Sequence, residues 1–177
     1  MSYLRFNLKL IAILIFIFSI NAFSQDRYNF TLIFGTSNLH KMGEEQTHGT
    51  GFTVRAELFQ DEDWGYLATA GVSQTESDTI IDGANEFVYN SKIIQAGSFL
   101  YFAKYFRVAG GLSYFYIDEE QTTLSGNDNF KYHKFGPFVE LGARHDFGNF
   151  AFGIDFISHY IDNFKQSGVF LLLGIGM

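Results

Sequence analysis

Lys134-Phe135-Gly136-Pro137-Phe138-Val139-Glu140-Leu141-Gly142-Ala143-Arg144 reads as one extended strand with two unlike walls. Successive side chains of a strand point to opposite faces. One wall therefore carries Phe135, Pro137, Val139, Leu141 and Ala143, and the other carries Lys134, Gly136, Phe138, Glu140, Gly142 and Arg144. In a water-soluble sandwich the apolar wall faces the core and the charged wall is solvated. In a membrane-spanning barrel the arrangement inverts: the apolar wall meets lipid, and charges and glycines line a narrow interior. Which of the two holds decides the fold.

The amino terminus bears on that choice. Arg5 and Lys9 precede the apolar run from Leu10 to Ile20, and Ala22-Phe23-Ser24 follows with small residues where signal peptidase reads them. This order predicts a secretory signal peptide over residues 1–24, cleaved after Ser24. The alternative, an uncleaved anchor, is disfavoured because the run falls short of the roughly 20 residues a spanning helix needs. The chain has no cysteine, which excludes disulfides and a thioether lipid anchor.

Residues 25–177 are expected to form one domain. They hold ten of the 12 basic residues and all 19 acidic ones, a net charge of −9. That balance argues against nucleic acid as a partner, since phosphate binding needs a basic footprint. No phosphate loop, dinucleotide-binding glycine pattern or zinc spacing occurs, so neither cofactor nor metal is expected. Hydrophobic residues make up 47% of the chain and aromatic residues 19%, with a single proline. Many aromatics without a second long apolar run suit strands dispersed along the chain.

About eight such strands of roughly ten residues follow, the length that crosses a bilayer with tilt. They are expected at Tyr28 to Gly35, Gly51 to Phe59, Trp64 to Ser73, Phe87 to Phe102, Arg107 to Tyr116, Lys134 to Arg144, Phe150 to Tyr160 and Val169 to Met177. The fourth is the least regular, and a bulge there would upset its parity. Connections are read as alternating long and short, with long polar loops after the first, third and fifth strands and a medium one after the seventh. Short periplasmic turns and longer external loops give outer-membrane barrels this asymmetry.

Charges separate the faces. Arg55, Glu57, Arg107, Glu140, Arg144 and Asp155 all fall on the less apolar wall, and most strand glycines share it. An eight-stranded barrel is only wide enough for side chains to fill, so small residues must offset large ones inside. The expectation is an all-β, eight-stranded antiparallel up-and-down transmembrane β-barrel with these six residues as a lumen charge cluster. With turns centred near residues 123 and 147, Glu140 is expected opposite Arg107 on one neighbour and Asp155 on the other. Two buried carboxylates need a cation between them. The cluster reads first as a plug, and second as a gate or narrow pore. Trp64 and Tyr66 beside a short turn, and Tyr114 and Tyr116 beside a long loop, are candidate interface aromatics.

Signal, strand count, loop alternation and the apolar alternation of the last strand together resemble the small OmpX/OmpA-type eight-stranded outer-membrane barrels of Gram-negative bacteria. The resemblance spans residues 25–177 and implies an integral outer-membrane monomer with a structural, adhesive or binding role through its external loops. It also implies contact with outer-membrane lipid and lipopolysaccharide, and assembly by the barrel-assembly machinery. That machinery usually reads a terminal aromatic, where this chain has Met177. Alternatives are a narrow channel, a soluble lipocalin-like carrier and a lipid A-modifying hydrolase. The last rests on Ser158-His159-Tyr160-Ile161-Asp162-Asn163, which is similar to a lipid A deacylase pattern but has Ile161 where a serine belongs. Parity also sends Ser158 outward and His159 inward, so nucleophile and base part company, and no enzyme is expected.

His40, His48, His133 and His145 are read as solvated loop residues. Glu44, Glu45, Glu76, Asp78, Asp82, Asp118, Glu119, Glu120 and Asp128 are read as acidic loops that keep themselves hydrated, with divalent-cation binding as the alternative. Lys41, Lys131 and Lys134 are candidates for touching lipid phosphates.

Overall fold

A computed structural model describes residues 28–41, 46–77, 86–102, 105–123 and 126–176. The expected signal peptide lies outside them, as do Glu44, Glu45, Asp78, Asp82 and Met177. Eight strands follow one another: β1 (Tyr28–Lys41), β2 (Gln46–Phe59), β3 (Trp64–Ser77), β4 (Glu86–Phe102), β5 (Phe106–Thr123), β6 (Gly126–Phe147), β7 (Phe150–Ile161) and β8 (Phe164–Gly176). Each pairs antiparallel with its chain neighbours, and β8 returns to β1, closing an up-and-down barrel.

Period-two alternation decides which way each wall faces. On β2, Phe52 and Val54 are exposed on the outside while Thr53, Arg55 and Glu57 are buried inside. On β7, Phe150, Phe152, Ile154 and Phe156 face out, and Ala151 and Asp155 face in. β4 pairs without interruption with both neighbours and contains no bulge, so Gln95 and Phe99 face in and Leu100 and Phe102 face out. The exposed outer surface is thus an apolar belt, and the strand charges are buried inside, together with packed apolar side chains. This is the inversion that lipid imposes on a barrel.

The strands are strongly staggered. From Gly35 the cross-strand row runs through Gly51, Ser73, Ser91 and Ile117 to Tyr132 on β6. In the other direction it runs through Phe170 and Asp155 and meets β6 at Gly142, ten residues further along. A row perpendicular to the strands therefore climbs around the barrel, as strands tilted by roughly 35–45° require.

Two expectations are corrected. Strands run from 12 residues in β7 to 22 in β6, well beyond ten. Most of what reads as long polar loop is strand: β1 reaches Lys41 and β2 resumes at Gln46, β5 reaches Thr123 and β6 resumes at Gly126, and β7 and β8 are separated only by Asp162 and Asn163. Ladder hydrogen bonds join backbones whatever the side chains, and above the apolar belt the outer wall needs no apolar residues. The hydropathy alternation fades there although the strand continues. The two-residue turns rely on left-handed backbone at Gly148 (φ 64°) and Asp162 (φ 50°), the latter in a residue type that tolerates it.

The asymmetry between the barrel's two ends therefore lies in its strands. The chain-terminal end is closed by the turn at 60–63 and the two-residue turn at 148–149. At the opposite end β4, β5 and β6 project together as a ribbon, with β5 still paired to β4 at Thr122 opposite Glu86. Residues 126–137 of β6 pair with β5, but pairing with β7 begins only at Phe138 opposite His159.

Candidate functional site

The interior is layered. Toward the ribbon end, Leu39, Tyr89, Ile93, Phe115, Ile117, Ile161 and Phe164 form an apolar stopper, with Phe87 and Tyr132 packed on it. Below lies a polar band in which the Gln166 amide donates to Ser37 (2.7 Å) and Ser73 (2.8 Å), and Gln95 meets His159 Nε2 at 2.8 Å. Nearest the terminal end, the charges lie beside a second apolar group of Phe59, Leu67, Phe99, Ala109 and Phe138.

The structure brings Arg55, Glu57, Arg107, Glu140, Arg144 and Asp155 into one contiguous cluster. Arg55 donates to Asp155 at 2.7 Å and to Glu140 at 2.8 Å. Arg107 donates to Glu140 at 2.7 Å and Asp155 at 3.3 Å, and its other terminal nitrogen lies 3.1 Å from Glu57. Arg144 donates to Glu57 (3.0 Å), Asp146 (2.8 Å) and the Tyr101 hydroxyl (3.3 Å). Arg55 and Glu140 are fully buried. Three guanidiniums against three carboxylates leave no net charge among the six, which is what allows such a cluster out of water.

The expected register is corrected here. Arg107 and Asp155 both lie opposite Gly142, while Glu140 faces Ala109 and Ile157. The centres of the β5–β6 and β6–β7 ladders lie about one residue beyond those assumed, and each residue of displacement moves the partner by two. Parity survives such a shift, so every charge keeps its face. Gly142 was not singled out by the sequence, yet it makes the geometry possible: a Cβ there would collide with the Asp155 carboxylate.

The aromatics sit on the outer wall at both ends. Trp64 and Tyr66 pack edge to face at 5.6 Å near the terminal end. Near the other end the Tyr114 hydroxyl meets His133 Nδ1 at 2.6 Å, and the Tyr116 ring packs on His133 at 5.0 Å. The four histidines read as loop residues lie on β1, β2 and β6; His48 meets Asn38 at 2.9 Å, and His145 packs against Phe147 at 4.3 Å.

Glu76, Asp118, Glu119, Glu120 and Asp128 likewise lie on strands. Glu119 is buried and accepts from Lys41 at 3.2 Å. Of the three lysines expected at lipid phosphates, Lys41 and Lys134 are drawn into ion pairs, Lys134 with Asp162 at 2.6 Å; only Lys131 is exposed on the outer wall. Lys92 and Lys165, which the sequence reading passed over, stand on that wall beside Tyr116 and Tyr160. Their positions follow from strand parity alone.

His159 is buried among Phe115, Phe138 and Gln95, while the parity of Ser158 is that of the outer wall. The two do not form a nucleophile and base. Among the described residues no group of three or more His, Cys, Asp or Glu could hold a metal ion.

Fold and interior together define a small eight-stranded transmembrane β-barrel of the outer-membrane type. No family model matches the chain, and no curated protein matches it in sequence. Among solved structures it is similar to Ail, the attachment invasion locus protein of Yersinia pestis, with a TM-score of 0.63 at 14% identity over 85% of this chain and 98% of Ail. Ail in complex with the heparin analogue sucrose octasulfate gives 0.61 at 14% identity, over 86% and 99%. Neisserial surface protein A gives 0.58 at 10% identity, over 84% and 96%. At these identities the likeness is one of fold.

Proposed function

We propose that the chain is a Gram-negative outer-membrane barrel that carries its ribbon end outside the cell as a binding or adhesive surface. The observation that carries this reading is the bare edge of β6. Residues 126–135 have a β5 partner and lie beyond the end of β7, touching the β7–β8 turn only through the Lys134–Asp162 ion pair among the described residues. Such an edge presents a row of backbone donors and acceptors, and a partner's extended segment can add to it as a further strand. The lumen favours anchorage over transport, because side chains fill it from the stopper to the charge cluster and the cavity left beside His159 is only about 10 Å³. The attachment and invasion named for Ail are consistent with this reading.

The test is to replace residues 120–129 with Asn-Gly, which shortens the ribbon and supplies a two-residue hairpin turn. Bacteria displaying the native chain should adhere to epithelial cells or to immobilised matrix proteins. Bacteria displaying the shortened chain at equal surface density should fall to the level of cells lacking the protein. Equal adhesion by both would sink the reading.

A further inference from the structure

The outer wall is indented along one cross-strand row. Gly35, Gly51, Ser73 and Ser91 are consecutive partners on β1 to β4, and their side chains belong to the lumen face. None of the four carries a side chain larger than a hydroxymethyl group. A groove of about 1190 Å³ lies over these same four residues on the outside.

Two rows of outward side chains flank it. On the side toward the terminal end stand Leu171, Phe34, Phe52 and Val72, continuing to Lys92 and Tyr116. On the side toward the ribbon stand Thr36, Thr50, Gln74 and Asn90, continuing to Asp118 and Lys131. The groove thus follows the boundary between the apolar belt and the polar wall above it. It also climbs, since the row through Gly35 reaches β6 at Tyr132 in this direction, ten residues nearer the ribbon than Gly142 on the other path. Its β8–β1–β2 end is apolar, and its β4–β6 end carries the cations. There Lys92 lies 5.5 Å over the Tyr116 ring, and Lys131 stands across from Asp118, so this end carries one net positive charge.

We propose that this groove is a binding site for a phosphorylated, multiply acylated lipid of the outer leaflet, the chemical class of lipid A. Acyl chains lie along Phe34, Phe52, Val72 and Leu171, and a headgroup phosphate accepts hydrogen bonds from the Lys92 and Lys131 ammonium groups. The proposal rests on the ribbon end facing outward, which puts the groove in the outer leaflet. Charge and polarity then both point along one direction of one lipid. A lipid of the inner leaflet would meet the belt at its other edge.

Refolded protein in detergent is titrated with diphosphorylated lipid A, with the same lipid after phosphate removal, and with phosphatidylglycerol, and bound lipid is counted by native mass spectrometry. The heat-dependent gel mobility of a folded barrel is checked for each variant. The native chain should take up diphosphorylated lipid A in preference to the other two. Lys92→Glu and Lys131→Glu should each weaken it about tenfold, the order of one charge-assisted hydrogen bond. Val72→Trp, which enlarges a flanking side chain so that it obstructs the groove, should weaken the phosphorylated and dephosphorylated forms alike, whereas Lys165→Glu, an outward cation away from the groove, should change neither. Equal uptake of phosphatidylglycerol overturns the proposal, as does an effect of Lys165→Glu matching that of Lys92→Glu, or indifference to Val72→Trp. The ribbon-shortened chain keeps Asp118 and Lys131 and should bind lipid A normally, so loss of adhesion and loss of lipid binding are read separately.

Discussion

Glu140 sits fully buried between Arg55 and Arg107, and removing its carboxylate leaves three guanidiniums against Glu57 and Asp155, one positive charge in excess. Breaking such a buried pair costs about 3–5 kcal/mol, because the excess charge stays desolvated. Glu140→Ala should therefore lower the urea midpoint of the barrel in lipid vesicles sharply, followed through the fluorescence of Trp64. Asp162→Asn, which keeps a residue type that tolerates the left-handed backbone at this turn, offers the contrast. Its ion pair with Lys134 is short but exposed, and removing it should cost less than about 1 kcal/mol. Gly142→Val should destabilise as well, since its Cβ needs the space of the Asp155 carboxylate. At this scale the sequence could say which face each charge takes, because parity depends only on counting along one strand. It could not say which charge lies opposite which, because register depends on turn centres, and an error of one residue there moves every partner by two. Gly142 stayed invisible for that reason: its role exists only once Arg107 and Asp155 are known to share it as a partner.

For the strands, the apolar belt was legible wherever lipid-facing side chains alternate with lumen-facing ones, as on β2 and β7. It stopped being legible where the wall rises into water. Ile117 and Glu119 on β5 and Tyr132 on β6 are inward residues that pack or pair at the stopper, yet they sit in segments polar enough to read as loops. The two walls of β2 give a direct test of the orientation. Val54→Arg places a cation on the outer wall midway along the belt, where it should cost about 2–4 kcal/mol in a bilayer. An outcome near zero would mean that this wall meets water. For the stopper, Phe115→Ala empties a fully buried aromatic site and should cost about 3–5 kcal/mol. The same urea series would measure it.

At the scale of the whole molecule, closure, stagger and filling determine whether anything passes through. Eight strands enclose only enough room for their own side chains. Here that room is divided between two barriers in series, the apolar stopper under the ribbon and the charge cluster nearer the terminal end. An ion would have to pass both. Arg107→Ser opens the second barrier alone: it leaves Glu57, Glu140 and Asp155 facing Arg55 and Arg144, one net negative charge in a newly created space. Water and a cation can enter there from the terminal side, but Phe115 and Ile117 still close the other end. In planar bilayers the native chain should show no discrete current steps, and Arg107→Ser should add little. Arg107→Ser combined with Phe115→Ala removes material from both barriers and should produce steps that favour cations over anions. Current steps in the native chain as large as those of the double variant would mean that the lumen was never the barrier, and the anchoring role would then have to give way to that of a narrow channel.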